Sequence, residues 1–218
     1  MIIHKIGHCC LTVETSGVKL LTDPGAWSTG QREVTGIDVV LITHEHADHL
    51  HIESLKAVIA KNPGARVITN TSVGNILTDE GIEHEVVDGR GSTEVNGVVI
   101  EAYDGRHEEI YEDFGQVQNT GYFIDDTLFY PGDSFYDPER EVDVLALPVG
   151  GPWCKIGDAV RYALKVKPRK AFPVHDGMAD PEKAGPLYKV PSVNLEGTGI
   201  EFIELKAGDT LNYPQQAA

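Results

Sequence analysis

Short runs of hydrophobic residues, some alternating with polar residues and some continuous, recur along the chain between Gly, Pro, Asn and Asp. Runs of this length between turn residues predict β-strands. The predicted strands cover 2–6, 10–14, 18–21, 38–42, 66–69, 82–87, 92–95, 98–103, 120–125, 127–130, 143–147, 170–174 and 200–205. The Asn96-Gly97 pair between two of them is the signal of a two-residue hairpin turn.

Three segments instead place hydrophobic residues three and four positions apart, which is the spacing of an amphipathic helix. We predict helices over 52–60, 71–79 and 157–166. The segment 181–199 is interrupted by Pro and Gly, and we predict it to be broken rather than regular. The last five residues, 214–218, are predicted to form a frayed tail.

The order of these elements repeats along the chain. A run of antiparallel strands followed by strand–helix units occurs in the first half and again in the second half. Two similar halves predict an α/β fold in which two mixed sheets face each other and helices cover their outer sides. With 218 residues, the chain is long enough to bury a large core, and we expect a single domain over 1–213.

The amino-acid composition restricts the kinds of molecule that the protein is expected to bind. The chain carries 34 Asp and Glu against 18 Lys and Arg, a formal charge of −16, which disfavours nucleic acid and anionic membrane surfaces as partners. The sequence shows no signal-peptide pattern and no apolar run of membrane-spanning length. The three cysteines, Cys9, Cys10 and Cys154, do not resemble a disulfide framework. We therefore expect a cytoplasmic protein that acts on a small molecule; a homo-oligomer is left open.

Histidines crowd one stretch after a predicted strand. Residues 43–50 read Thr-His-Glu-His-Ala-Asp-His-Leu and follow the apolar run 39–42. Imidazole and carboxylate groups hold zinc, manganese or iron in proteins. The spacing of His44 and His46 places both on one side of an extended segment, whereas Asp48 and His49 point elsewhere, which suits a second metal beside the first.

Three more segments deliver a His or Asp where a predicted strand ends. They lead to His107, Asp133 and His175, and with His44 they make four such strand ends. Sites in layered α/β folds form where the carboxyl ends of strands converge. The sequence therefore predicts one site built from these four strand ends.

This ordered set of residues resembles the metallo-β-lactamase superfamily. The resemblance rests on the motif His-x-His-x-Asp-His at 44–49 and on the later His107, Asp133 and His175. The short motifs at 7–8 (Gly-His), 23–24 (Asp-Pro), 132–134 (Gly-Asp-Ser) and 147–151 (Leu-Pro-Val-Gly-Gly) are similar to one branch. That branch contains small metal-dependent hydrolases related to ascorbate-6-phosphate lactonase and N-acyl-phosphatidylethanolamine phospholipase D.

The resemblance implies a four-layer αββα sandwich with a two-metal site at one edge of the sheets. In that site one metal ion takes His44, His46 and His107, the other takes Asp48, His49 and His175, and Asp133 bridges the two. The implied activity is hydrolysis of a small ester, lactone or phosphodiester by a hydroxide that bridges the metals, with Asp48 orienting the nucleophile or passing on its proton. Zinc is the first expectation for both ions, manganese and iron are alternatives, and incidental β-lactam turnover is compatible with this chemistry.

Five further residues have weaker grounds for a role. Asp23 is either a carboxylate that holds a ligand imidazole or a turn residue, and His8 either faces the metal cleft or caps a turn. Trp153 either shapes the substrate pocket or covers the core. Arg106 and Lys155 are the cations near the expected site and are candidates for binding a substrate phosphate.

Three competing functions follow from the same residues. A nuclease would share the His-x-His-x-Asp-His motif, although the charge of −16 speaks against it. A diiron redox enzyme would have a carboxylate in place of His46 and an attached flavin module, and the sequence has neither. A metal-stabilised scaffold without catalysis would have lost ligands, yet the expected set is complete.

Overall fold

Two seven-stranded sheets make up the centre of the molecule. The computed structural model describes residues 1–180 and 182–214; Pro181 and the tail residues 215–218 lie outside the described residues. The first sheet has the order β14-β1-β2-β3-β4-β5-β6 and contains β1 (Ile2–Gly7), β2 (Cys10–Thr15), β3 (Val18–Thr22), β4 (Val39–Leu41), β5 (Arg66–Thr69), β6 (Glu85–Val86) and β14 (Thr210–Asn212). Its strands are antiparallel from β14 to β3 and parallel from β3 to β6.

The second sheet repeats this mixed pattern. It has the order β13-β12-β11-β10-β9-β8-β7 and contains β7 (Ser92–Val95), β8 (Val98–Arg106), β9 (Gln118–Ile124), β10 (Leu128–Tyr130), β11 (Val144–Pro148), β12 (Lys170–Val174) and β13 (Glu201–Phe202). Strands β7 to β10 are antiparallel and β10 to β13 are parallel. The described helices are α1 (Ile52–Lys61), α2 (Thr71–Asp79), α3 (Ile156–Val166) and α4 (Gly185–Leu195).

Strand β4 shows why both faces of each sheet are buried. Val39 and Leu41 point into the core between the two sheets, whereas Val40 and Ile42 point into the core beneath α1 and α2. Both faces of the strand are covered, so its sequence is continuously hydrophobic rather than alternating. A separate core joins the second sheet to α3 and α4. The predicted αββα sandwich with two mixed sheets is confirmed.

The prediction that 181–199 has no regular structure was wrong for the central part of this segment. Helix α4 forms there, with Pro186 in its first turn, where the missing N–H is tolerated, and with Pro191 inside it. Pro191 and Leu195 are buried, and Leu195 belongs to the core beneath the second sheet. Tertiary packing of this face therefore offsets the poor helix propensity of the segment.

The predicted terminal strand 200–205 was too long, and a further strand was missed. Strand β13 covers only Glu201–Phe202, and β14 pairs antiparallel with β1 at the edge of the first sheet. This pairing joins segments more than two hundred residues apart, so no local sequence pattern indicates it. None of the described helices has the length and hydrophobicity to span a membrane.

A buried ion pair ties β1 to the end of β12. Lys5 is 0% exposed, and its Nζ lies 2.6 Å from Asp176 Oδ2 and 2.7 Å from the Pro173 carbonyl oxygen. Tyr188 of α4 donates a hydrogen bond of 2.8 Å to the same carboxylate oxygen. This network anchors the backbone immediately before and after His175.

Replacing Lys5 with Met is expected to lower the free energy of unfolding by about 3–5 kcal/mol, because the Asp176 carboxylate stays buried without its cation. Urea denaturation measures the change. Lys56→Met is the control, since Lys56 forms an exposed ion pair with Glu80 and its loss leaves the urea midpoint almost unchanged. Equal midpoints for the two variants would contradict the structural importance of the buried pair.

Candidate metal centre

The His-rich stretch and three other strand ends meet at one edge of the sandwich. Residues 43–50 follow β4, and the other three segments follow β8, β10 and β12. These segments bring together His44, His46, Asp48, His49, His107, Asp133 and His175. Rigid strand ends hold these side chains, as expected of a site that needs fixed geometry.

The side chains form two clusters. Ligand atoms of His44, His46 and His107 lie within 4.8 Å of one another. His44 and His107 are buried, and His46 is half-buried. The second cluster consists of His8, Asp48, His49 and His175, again with ligand atoms within 4.8 Å of one another. The division is the one that the family resemblance implies, with His8 added; metal binding by these residues stays a prediction.

Asp133 lies between the clusters. Its Oδ2 is 2.8 Å from His175 Nε2 and 3.2 Å from His107 Nε2, and its Oδ1 is 3.1 Å from His49 Nε2. His44 Nε2 is 3.8 Å from Oδ2. One buried carboxylate therefore faces imidazoles of both clusters, which is the placement required of a bridging ligand.

Hydrogen bonds at the Nδ1 atoms orient the ligand imidazoles. His49 Nδ1 lies 2.7 Å from Asp23 Oδ2, and His107 Nδ1 lies 2.6 Å from the Glu108 carbonyl oxygen. Because both partners are acceptors, Nδ1 carries the proton, and the lone pair of Nε2 faces the cluster. This is the tautomer that binds a metal through Nε2.

Several atoms at the centre are buried without a hydrogen-bond partner. Among the described residues these atoms are His44 Nε2, His49 Nε2, Asp133 Oδ1, and both ring nitrogens of His175. Buried polar atoms are otherwise almost always paired in native proteins, so their convergence is best explained by a positively charged group that they bind. The donor set therefore fits metal ions.

The pKa shifts of His44, Asp133 and Asp48 suit a cation. Burial lowers the pKa of His44 well below its ordinary value, which keeps the imidazole neutral. Burial opposes ionisation of Asp133, but the surrounding imidazoles, His175 first, outweigh it and hold the pKa of this carboxyl well below its usual range. Burial likewise opposes ionisation of Asp48, and the neighbouring imidazoles of His175 and His8 outweigh it and lower that pKa. Burial opposes protonation of His49 and His175, but the Asp133 carboxylate outweighs it and raises the pKa of both imidazoles well above their ordinary value, so a bound metal ion would displace those protons.

Three of the five weaker candidates contact the centre. Asp23 accepts hydrogen bonds from His49 Nδ1 and Tyr130 OH, and His8 Nε2 lies 3.2 Å from Asp48 Oδ2. Trp153 Nε1 donates a hydrogen bond of 3.0 Å to Asp133 Oδ2.

The other two candidates, the cations, are placed differently. Arg106 is exposed on β8 and alternates with the inward-facing His107, and Lys155 is exposed at the start of α3. Within the described part of the chain, neither forms a hydrogen bond or ion pair with the cluster. A role for them in binding a substrate phosphate stays a prediction.

Residues outside the sequence prediction complete the surroundings. Thr43 donates from its backbone N–H to Asp23 Oδ1, and its Oγ1 contacts Asp23 Oδ2 and His44 Nδ1. Tyr130 reaches Asp23 from the second sheet. Thr43 adjoins the motif in sequence, so its position could have indicated a role at the site. Only the tertiary structure shows that Tyr130 contacts Asp23.

Cys9 also lies closer to the centre than its sequence context indicated. The Sγ atom of Cys9 lies within 4.8 Å of ligand atoms of His49 and Asp133. Burial raises the pKa of a thiol, but His8 and His49 outweigh this effect and lower the pKa of Cys9 to about 6. Cys9 is the second residue of the turn between β1 and β2. No local sequence pattern indicates that it lies near His49.

Comparison with known proteins agrees with this geometry. A family model for the beta-lactamase superfamily domain matches residues 2–175. Protein Rv0786c of Mycobacterium tuberculosis is 33% identical over 193 residues, which cover 86% of this chain and 90% of that protein. UPF0173 metal-dependent hydrolase TV0864 of Thermoplasma volcanium is 31% identical over 199 residues, which cover 83% of this chain and 86% of that protein.

A solved structure shows the same fold. Igni18, described as a novel metallo hydrolase from the hyperthermophilic archaeon Ignicoccus hospitalis, matches with a TM-score of 0.78 at 20% identity, and the match covers 99% of both chains. The narrower branch indicated by the short motifs stays a prediction. The chain therefore belongs to the metallo-β-lactamase superfamily and, within it, to the family of metal-dependent hydrolases that its relatives form.

Proposed function

We propose that the chain uses two divalent metal ions to hydrolyse a small ester, lactone or phosphodiester. The observation that carries this proposal is the convergence of buried, unpaired imidazole nitrogens on the Asp133 carboxylate. The first ion would be held by His44, His46 and His107. The second would be held by Asp48, His49 and His175, and Asp133 would serve both. Zinc is the ion we propose first, because the imidazole-rich set suits it, with manganese and iron as alternatives.

Bound metal ions would lower the pKa of water and polarise the oxygen that gains charge in the reaction. The protein supplies a carboxylate that can accept the proton of the attacking water and donate it to the leaving group. The side chain of Asp48 is 14% exposed, whereas that of Asp133 is 2% exposed, so Asp48 is the carboxylate open to the cleft. We propose that Asp48 orients the attacking water, takes its proton and passes it to the leaving group.

Two other contacts prepare the centre for this reaction. Trp153 Nε1 donates to Asp133 Oδ2 and thereby restrains the shared carboxylate. Asp23 restrains the ring of His49 through Nδ1. Partners of this kind raise ligand basicity and fix ring orientation.

The surface around the cleft supports a small substrate with an apolar part. Trp27 is 45% exposed and packs edge-on against the ring of His8, with centroids 5.0 Å apart. Phe114 is 73% exposed on the loop that passes beside His46, where a Cβ on Gly115 would lie 3.8 Å from His46 Cε1. Exposed aromatic residues at a cleft are typical of ligand-binding surfaces. The charge of −16 weighs against the alternative of a nuclease.

Metal analysis paired with hydrolysis tests the proposal. Protein purified without added metal is measured by elemental analysis and then assayed, with and without chelator, on a lactone, an aryl ester, a bis-aryl phosphodiester and a chromogenic β-lactam. We expect close to two metal ions per chain and turnover that chelator abolishes and metal restores. Bound metal also stabilises the fold by mass action, so chelator is expected to lower the melting temperature.

Each contrary outcome of this experiment excludes a different part of the proposal. Absence of bound metal even after reconstitution would overturn the proposed centre. Turnover that persists in chelator would exclude the metal-dependent mechanism. RNA binding at physiological salt, measured in parallel, would favour the nuclease over a small-molecule hydrolase.

A further inference from the structure

His8 occupies a left-handed backbone conformation, which is uncommon for residues other than glycine. It lies in the turn between β1 and β2 with φ of +45°, in the left-handed region that favours Gly and Asn. It is also 2% exposed, between the rings of Trp27 and His175. A left-handed backbone conformation costs free energy at a residue other than glycine, so contacts of the buried side chain must stabilise it.

A backbone contact determines the tautomer of His8. Gly177 N–H donates a hydrogen bond of 3.0 Å to His8 Nδ1. A Cβ at position 177 would lie 2.9 Å from that nitrogen, so only glycine allows this approach without displacement. Because Nδ1 accepts a hydrogen bond, the proton of the neutral ring is on Nε2.

The protonated nitrogen of His8 points at a predicted metal ligand. His8 Nε2 lies 3.2 Å from Asp48 Oδ2, so its N–H donates to the carboxylate. The ligand imidazoles have the opposite arrangement, since Nδ1 of His49 and Nδ1 of His107 donate to acceptors, and in the neutral rings the lone pair is therefore on Nε2. A nitrogen that carries a proton has no lone pair for a metal ion.

We propose that His8 is a positioning residue for Asp48 rather than a fourth ligand of the second metal ion. Gly177 holds His8, and His8 holds Asp48 Oδ2 in the direction needed for the second cluster. This inference rests on the proposed function, because it assigns a partner to the carboxylate given a catalytic role there. Asp48 is the most exposed residue of its cluster and gains most from such a restraint.

Nitrogen-15 NMR of histidine-labelled protein tests the tautomer directly. Spectra are recorded on the metal-free protein and after addition of Zn²⁺, and His8 is assigned by the signal lost in His8→Gln. We expect a protonated Nε2 and an unprotonated Nδ1 in both states. Loss of the Nε2 proton on addition of Zn²⁺ would show that His8 is a ligand and would overturn the proposal.

Three variants of His8 separate its two hydrogen bonds. Gln places an N–H donor near the position of Nε2, Asn keeps an acceptor near the position of Nδ1, and Phe keeps the ring but neither bond. Each variant is titrated with Co²⁺, and the affinity for the second equivalent is read from visible absorption. His4→Gln on β1, the strand that precedes His8, is the control, since His4 contacts Thr210 and lies outside the centre.

We expect His8→Phe and His8→Asn to weaken the second Co²⁺ affinity by about tenfold to a hundredfold, as is usual for partners of metal ligands. His8→Gln should recover most of that loss, and kcat should follow the same order with little change in KM. Unchanged affinity in the Phe and Asn variants would overturn the proposal, and so would a Gln variant as weak as the Phe variant.

The affinity measurement separates this inference from the proposed function. If the affinities follow the expected order but no variant and no wild-type protein hydrolyses the panel, the role of His8 stands and the proposed hydrolysis fails. If the wild-type protein hydrolyses a substrate and the Phe variant binds and turns over equally well, the hydrolase stands and the role of His8 fails.

Discussion

Replacing Asp133 with Asn is expected to abolish the second bound metal ion and to lower turnover by about a thousandfold or more. The carboxylate is 2% exposed and faces imidazoles of both clusters at 2.8–3.8 Å. Asn has the same shape and still accepts a hydrogen bond from Trp153, but it has no charge to offset two dications. Metal ions contribute several kcal/mol to such reactions, and each ~1.4 kcal/mol corresponds to a tenfold change in rate.

Elemental analysis and the hydrolysis panel measure both effects of Asp133→Asn. Asp137→Asn is the matched control, because Asp137 lies on the same loop and pairs with Lys165 on the surface. We expect the control to keep two metal ions and wild-type turnover. An Asp133→Asn protein with two ions and normal turnover would show that this carboxylate does not bridge the centre.

Replacing Gly25 with Ala is expected to displace the Asp48–His49 segment. A Cβ at position 25 would lie 1.7 Å from the Asp48 carbonyl oxygen and 2.6 Å from His49 N. The two loops are also joined by a hydrogen bond of 2.8 Å from Ala26 N–H to the Ala47 carbonyl oxygen, so neither can yield alone. Overpacking of this kind typically costs about 1–3 kcal/mol.

Thermal unfolding and Co²⁺ titration together measure the effect of Gly25→Ala. We expect a lower melting temperature and loss of the second Co²⁺ ion, because Asp48 and His49 both belong to that cluster. Gly64→Ala is the control, since a Cβ there meets no atom within 4 Å. If the two variants behave alike, the close packing of the loops does not determine the geometry of the metal centre.

Local patterns were sufficient for most of the elements. Continuous or alternating hydrophobic runs indicated the strands, and helix α1 follows the stripe that includes Leu55 and Val58. The errors occurred where distant contacts outweigh local preference. Helix α4 forms despite Pro191 because Leu195 is buried beneath the second sheet, and β14 exists because it pairs with β1.

Local sequence also indicated the candidate metal ligands, but it did not indicate the residues that form hydrogen bonds around them. The motif at 44–49 indicated metal ligation from residue type and spacing, and the family resemblance extended the expected ligand set to the strand-end residues His107, Asp133 and His175. The hydrogen bond from Tyr130 to Asp23 joins the two sheets, so no spacing along the chain reveals it.

The sequence by itself determined the fold class through hydrophobic periodicity and the metal-binding motif at 44–49 through ligand spacing, because both are short-range properties. Its resemblance to the superfamily supplied the remaining candidate ligands. Only the tertiary structure decided which nitrogen of each imidazole faces the centre, since that depends on acceptors and donors brought from other segments. His8 is the clearest case. Its residue type is compatible with a ligand, and the N–H of Gly177, from a loop 169 positions away, assigns it to Asp48 instead.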